Sequence, residues 1–147
     1  MMTVRVANTH RSARCPASLI ARSVRMVARG EGCGAGEIGI VCVGDGVSRR
    51  MNRRYLGHEY ATDVISFPLG EGDAVEGELY VNLDRARVQA RQYGVTRTHE
   101  LVRLVVHGTL HLTGYDDRLP EDRKRMRERE EFYLARLFRA AGRRGIV

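Results

Sequence analysis

Residues 99–117 read His-Glu-Leu-Val-Arg-Leu-Val-Val-His-Gly-Thr-Leu-His-Leu-Thr-Gly-Tyr-Asp-Asp, and no other stretch restricts the fold and chemistry of this chain as tightly. A helix advances about 100° per residue, so His107 and His111 project from one face a turn apart, where two imidazoles can share an ion. Leu101, Val102, Leu104, Val105, Val106, Leu110 and Leu112 cover most of the helix circumference, which marks a central, largely buried helix. Gly114 is placed to stop it in a left-handed turn, after which Asp116 or Asp117 can fold back as a carboxylate partner of the imidazoles. A His pair at this spacing alone is more often a hydrogen-bonded pair than a metal site. The apolar helix, the stopping Gly and the carboxylate beyond it complete a ligand set sufficient for a catalytic zinc, which keeps a fourth position for water.

With 147 residues the chain is expected to form one domain, 1–147, whose core needs neither disulfides nor a structural metal. The formal charge of +7 favours an anionic partner such as nucleic acid. All of the basic residues except Lys124 are Arg, a bias that a GC-rich genome would also produce. Cys15, Cys33 and Cys42 are odd in number and lack Cys-x-x-Cys spacing, so a reducing compartment is expected, with Cys42 as a core residue and Cys33 in a Gly-rich loop. No segment approaches a membrane span or a secretory leader, and a soluble cytoplasmic protein follows as the expectation. The Gly-rich run 30–36 follows a helix and precedes a strand, the reverse of a nucleotide-binding loop, so no nucleotide cofactor is expected.

In chain order, alternation at Val4 and Val6 predicts a short edge strand, and Pro16 with Leu19, Ile20, Val24 and Val27 predicts a helix over 16–29. A strand over 38–43 precedes a helix for which Asp45 is the expected N-cap, with Val47, Met51 and Tyr55 inward and Arg49, Arg50, Arg53 and Arg54 outward. Those arginines are a solvated face individually; as a cluster, Arg50, Arg53 and Arg54 are candidates for phosphate contact. Thr62–Pro68 is expected as a central strand, with an antiparallel partner over 77–82. Leu83–Tyr93 is expected as a helix stopped by Gly94, Thr96 or Thr98 as the cap of the His-bearing helix, and Pro120–Ala141 as a last helix with Met126, Tyr133, Leu134, Leu137 and Phe138 inward.

The segment His107-Gly-Thr-Leu-His111-Leu-Thr-Gly114-Tyr-Asp116-Asp117 resembles the signature H-G-x-L-H-L-x-G-Y-D-H of the YbeY family, metal-dependent endoribonucleases also called ribosomal RNA maturation factors. Asn52-Arg53-Arg54-Tyr55, Thr62–Pro68 (family T-D-V-L-S-F-P), the strand 77–81 and the pair Met126 and Glu130 (family M-x-x-x-E) extend the resemblance over about residues 4–138. It implies an α+β fold, a mixed four-stranded sheet packed by about five helices, similar to zincin-like hydrolases. It also implies three ligands, His107, His111 and Asp117, for one zinc-type ion, with manganese or nickel as other occupants. Asp117 stands where the family has His, and Asp116 is held in reserve. The same resemblance implies cleavage of single-stranded RNA in maturation of the small-subunit ribosomal RNA 3′ end and in ribosome quality control, with ribosomal RNA and the small subunit as partners.

A second departure is Leu56, where the family carries an Arg that contacts the RNA backbone or offsets transition-state charge. It motivates an alternative, a ribosome-associated binding factor with a mainly structural metal. A zinc peptidase is the weaker alternative, because Gly108 occupies the slot of the general base in His-Glu-x-x-His. Gly108 would serve either close packing or substrate room. Asp63 and Glu78, at strand ends, are candidates for a base as well as for turn or cap roles, while His99 suits the helix N-terminus.

Overall fold

The computed structural model describes residues 2–58, 60–70 and 74–145. Four strands, β1 (Met2–Asn8), β2 (Gly36–Val43), β3 (Val64–Pro68) and β4 (Val75–Asn82), form one mixed sheet in the order β1-β2-β4-β3. β1, β2 and β4 run parallel, and β3 pairs antiparallel with β4. The helices are α1 (Ala17–Gly30), α2 (Asp45–Met51), α3 (Leu83–Tyr93), α4 (Arg97–Leu112) and α5 (Pro120–Gly145). The α+β architecture and the β3–β4 pairing are those expected from the sequence. Among the described residues no helix is long and apolar enough to cross a membrane.

α4 is apolar all round because it is covered on two sides. Leu101, Leu104 and Val105 pack with Leu79 and Val81 of β4 and with Ile20 and Val24 of α1. Val102, Val106 and Leu110 pack with Met126, Tyr133, Leu134 and Leu137 of α5. Complete burial of each such side chain stabilises the fold by about 1.5–3 kcal/mol. The His-bearing helix is thereby locked between the sheet and α5. Thr96 caps it, its hydroxyl accepting from the His99 N–H at 3.0 Å, and Thr98 lies inside the helix.

Three expectations need correction. β3 is an edge strand, not a central one; of its residues only Ile65 is buried, and at an edge Pro68 costs no ladder hydrogen bond. Its apolar content instead serves the other face, where Phe67 meets Tyr55 and Tyr80 edge-on at 5.5 and 5.7 Å between ring centroids. Second, Gly44 is the N-cap of α2 and Asp45 its first residue. The Asp45 N–H donates to the Asp84 carboxylate at 2.9 Å, so a side chain from α3 caps α2 from outside. Third, Tyr55 is exposed, while Ser48 and Asn52 are buried. α2 widens into a π-helical turn over Asn52–Leu56, which rotates Tyr55 off the inward face before Gly57 ends it at φ 72°. Ser48 and Asn52 donate to the Thr62 and Tyr60 carbonyls at 2.9 and 2.7 Å and so hold the loop that leads into β3.

Cys42 is buried in the core, and its Sγ lies 2.9 Å from that of half-buried Cys15; all three thiols are free.

Candidate metal centre

His107 and His111 leave the last turns of α4 on one face, with ring centroids 4.8 Å apart. Gly114 then takes φ 113°, where a side chain would be strained, and the chain reverses so that the Tyr115 N–H donates to the Leu110 carbonyl at 3.1 Å. Two residues later the Asp117 carboxylate faces the imidazoles: Oδ2 is 3.6 Å from His107 Nε2 and 3.4 Å from His111 Nε2. One ligand atom from each of the three residues lies within 4.8 Å of the others. Tetrahedral bonds of about 2.0–2.1 Å place neighbouring ligand atoms roughly 3.3–3.4 Å apart; both Asp117 contacts are close to that spacing, and the two imidazoles would draw together to complete it around a zinc-type ion. Asp116 instead turns one oxygen to the Asp117 N–H at 2.7 Å and the other toward Arg118.

The reason both imidazoles present Nε2 lies behind them. His107 Nδ1 is 2.7 Å from Glu130 Oε2, and His111 Nδ1 is 3.1 Å from the Tyr115 carbonyl. A carbonyl oxygen can only accept, so His111 Nδ1 carries the proton and Nε2 the lone pair; the carboxylate of Glu130 imposes the same tautomer on His107. Glu130 is buried, as is Glu100, and Arg103 bridges them, donating to Glu130 at 3.2 Å and to both oxygens of Glu100 at 2.8 and 2.7 Å. The fork on Glu100, followed by burial working the other way and by the charges of both carboxylates, holds the Arg103 guanidinium well above its ordinary range. Glu130→Gln is expected to weaken zinc affinity by about 10–100-fold in a chelator competition, since it keeps an acceptor but removes the charge behind His107. Unchanged affinity would mean that the charge of Glu130 adds nothing to the ring's hold on the ion.

A second brace is Glu31, after α1. It accepts from Tyr115 Oη at 2.7 Å, from Arg129 at 2.5 Å and from Tyr133 Oη, joining α1, α5 and the loop that carries Asp117 and the Tyr115 carbonyl. Burial pushes its carboxyl up, but the hydrogen bonds from Tyr133, Arg129 and Tyr115 outweigh that and hold it below the ordinary carboxylate range. Its folded value is thus below the unfolded value of about 4.3, so its contribution is complete above that pH and is lost as pH falls through the folded value. Urea unfolding between about pH 6 and pH 3 should therefore show a shallower loss of stability for Glu31→Gln than for the natural protein. Parallel curves would contradict the brace.

Two hollows meet at the ligand group. One, about 590 Å³, runs under β3 and includes Leu56, Asp63, Ser66, His107, His111 and Arg118. The other, about 580 Å³, lies against α5 and includes Tyr93, His99, Arg103, His107 and Arg123. Asp117 borders both. Arg50, Arg53 and Arg54 line neither; they are exposed, and Arg54 sits over the Tyr55 ring at 5.4 Å. From that segment only Leu56 reaches the cleft. Asp63 is in the cleft, yet its oxygens accept from the Val64 N–H at 2.8 Å and from Gln89 at 3.1 Å. Glu78 lies outside both hollows, and His99 packs on Phe138 with centroids 4.8 Å apart. Gly108 serves packing: a Cβ there would come within 2.9 Å of Leu79 and 3.2 Å of Val64, which leaves no room for the Glu of a zinc protease.

Sequence reasoning matched Glu130 to a motif without a role and missed Arg103 and Arg118 altogether. Glu130 is distant in sequence from His107, and only the packing of α5 on α4 brings them together. A buried-face Arg at 103, one turn before His107, was the available signal.

Comparison with known proteins identifies the family. The family model described as Endoribonuclease YbeY matches residues 6–138. The chain is 49% identical over 138 residues to the Endoribonuclease YbeY of Chlorobium luteolum, covering 94% of this chain and 100% of that one. It is 44% identical over 133 residues to the protein of the same name from Chlorobium chlorochromatii, covering 90% and 85%. A solution structure of a Thermotoga maritima protein superposes with a TM-score of 0.70 at 25% identity, covering 97% of this chain and 93% of that one. A match over most of the chain, a shared fold and the two His-bearing turns of α4 together place this chain in the Endoribonuclease YbeY family.

Proposed function

We infer that this chain is a metal-dependent endoribonuclease that cuts single-stranded RNA in ribosomal RNA maturation, at the 3′ end of the small-subunit RNA, on ribosomal particles in the cytoplasm. The observation that carries the reading is the convergence of His107 Nε2, His111 Nε2 and Asp117 Oδ2 at the floor of an open cleft, each imidazole held by a partner on its far nitrogen. One zinc-type ion bound there supplies Lewis acidity toward a phosphoryl oxygen and lowers the pKa of water. A carboxylate as third ligand gives up more charge than an imidazole and favours harder ions such as manganese beside zinc.

The chain's own residues do the rest. Glu130 and the Tyr115 carbonyl keep both ring lone pairs aimed forward, at no reorganisation cost when substrate arrives. Leu56 contributes no charge. Among residues lining the hollow under β3, Arg118 is the cation, largely exposed and only loosely paired with Asp116 at 3.7 Å, and it is free to meet a phosphate. Arg53 and Arg54 do not line that hollow; with Arg50 they stand exposed on α2 and its π-helical end.

Leu56 in the cleft also favours a second reading, a ribosome-associated binding factor with weak chemistry. Incubation of the metal-loaded protein with 3′-extended small-subunit RNA, and separately with unfolded casein, separates them. The expected result is cutting within the single-stranded extension and intact casein. RNA left whole on subunits that still bind the protein would favour the binding factor; cut casein would favour a peptidase.

A further inference from the structure

α1 and α5 face each other across a second groove, which shares no lining residue with the two hollows at the ligand group. Arg22, Arg25 and Arg29 recur on α1 at i, i+3 and i+7, and Arg129, Phe132 and Arg136 do the same on α5. Each triplet is therefore one stripe along its helix, and both stripes line a single hollow of about 650 Å³ that contains no carboxylate in its walls. The floor is Tyr133, over which Gly30 lies so closely that a Cβ would overlap the ring.

Arg129 is neutralised by Glu31. Among the described residues, Arg22, Arg25, Arg29 and Arg136 make no ion pair. Four uncompensated guanidinium groups on facing walls repel one another, and an anion threaded between them removes that repulsion. Phe132 adds a flat apolar element: it is 38% exposed, with Arg136 and Arg129 over its ring at 4.2 and 4.5 Å. A basic trough with an aromatic face suits a phosphodiester backbone carrying bases that can stack. Arg129, in the trough wall, pairs with Glu31, whose other oxygen holds Tyr115, the residue whose carbonyl orients His111.

We propose that the α1–α5 groove is a second binding track for the phosphate backbone of a long single-stranded RNA, anchoring it away from the scissile phosphate through Arg22, Arg25, Arg29 and Arg136. The proposal rests on the endoribonuclease reading for its choice of polyanion. The charge, the absence of wall carboxylates and the ring argue for the groove independently of cleavage.

The test is binding of an RNA of about 30 nucleotides across a salt series, for the full-length natural protein and for the variant Arg22→Gln/Arg25→Gln/Arg29→Gln/Arg136→Gln, with Arg11→Gln/Arg85→Gln/Arg87→Gln/Arg91→Gln, which line none of the three hollows, as an equal-charge control. Single-stranded RNA gives a slope of log affinity against log salt of about −0.7 per phosphate contacted, so loss of four contacts should make the slope shallower by about 2.8. Cleavage of a short oligonucleotide that reaches only the metal cleft should be unchanged, and circular dichroism should show both variants folded. An unchanged slope, or an equal change in the control variant, would overturn the groove. So would loss of binding to phosphatidylserine vesicles with RNA affinity intact, which would make the groove a membrane contact. If long RNA binds with the expected slopes and is never cut, the groove stands and the cleavage reading falls; if RNA is cut and the slopes coincide, the reverse holds.

Discussion

Asp117→Ala is expected to lower zinc affinity by more than the roughly 10–100-fold that loss of an outer partner costs, because it removes a ligand itself. Asp116→Ala should bind metal as the natural protein does. The difference follows from where the two carboxylates point. Asp117 Oδ2 sits 3.6 and 3.4 Å from the two Nε2 atoms, whereas Asp116 is turned to a backbone N–H and to Arg118. Asp117→His should bind metal as well, since imidazole is an equally competent zinc ligand, and it should yield a more acidic bound water. Competition against a chromophoric chelator reads all three variants. Full affinity in Asp117→Ala, or its loss in Asp116→Ala, would reassign the third ligand.

Arg103→Met should be the most destabilising single change near the site, by about 3–5 kcal/mol, the usual penalty for removing one partner of a buried ion pair. Glu100 is 1% exposed and receives two hydrogen bonds from Arg103. Without them a carboxylate remains in the core with no cation. For a chain of 147 residues that loss lowers Tm by roughly 6–20 °C. The double variant Glu100→Leu/Arg103→Met removes both charges and should recover most of the stability, as replacement of buried ion pairs by apolar side chains generally does. Metal affinity should still fall in the double variant, because Glu130 loses its Arg103 contact while it holds His107. Thermal melts and chelator competition on the same preparations separate the two effects. A double variant no more stable than Arg103→Met would show that the cost is lost packing and not stranded charge.

What the sequence reveals, and what it hides, follows the range of the forces involved. The helix with His107 and His111 was legible because its apolar periodicity, its Thr cap and its Gly stop are all local. α3 was legible for the same reason. The place of β3 in the sheet was not, because strand order depends on partners far along the chain; an apolar, β-branched run reads as central until its neighbours are known. Tyr55 was misplaced because a single π-helical turn breaks the 3.6-residue spacing that the reading assumes. At the site, the three ligand-type residues fall within one short stretch and could be proposed together. The groups behind them come from α5 and from the end of α1, so no spacing within α4 announces Glu130 or Glu31. The arginine groove was hidden likewise: each stripe looks like an ordinary solvated helix face until the two are seen opposite one another.

The central claim is that RNA is cut at the His107–His111–Asp117 group. Its most direct test is the rate of cleavage of one single-stranded RNA by natural protein and by His111→Ala, each purified identically, matched for folded concentration and assayed with and without stoichiometric zinc or manganese. Cleavage by the natural protein that requires the ion, and that His111→Ala abolishes at every ion concentration, is the predicted result. Equal cleavage by the two proteins would place the activity in another nuclease and contradict the account.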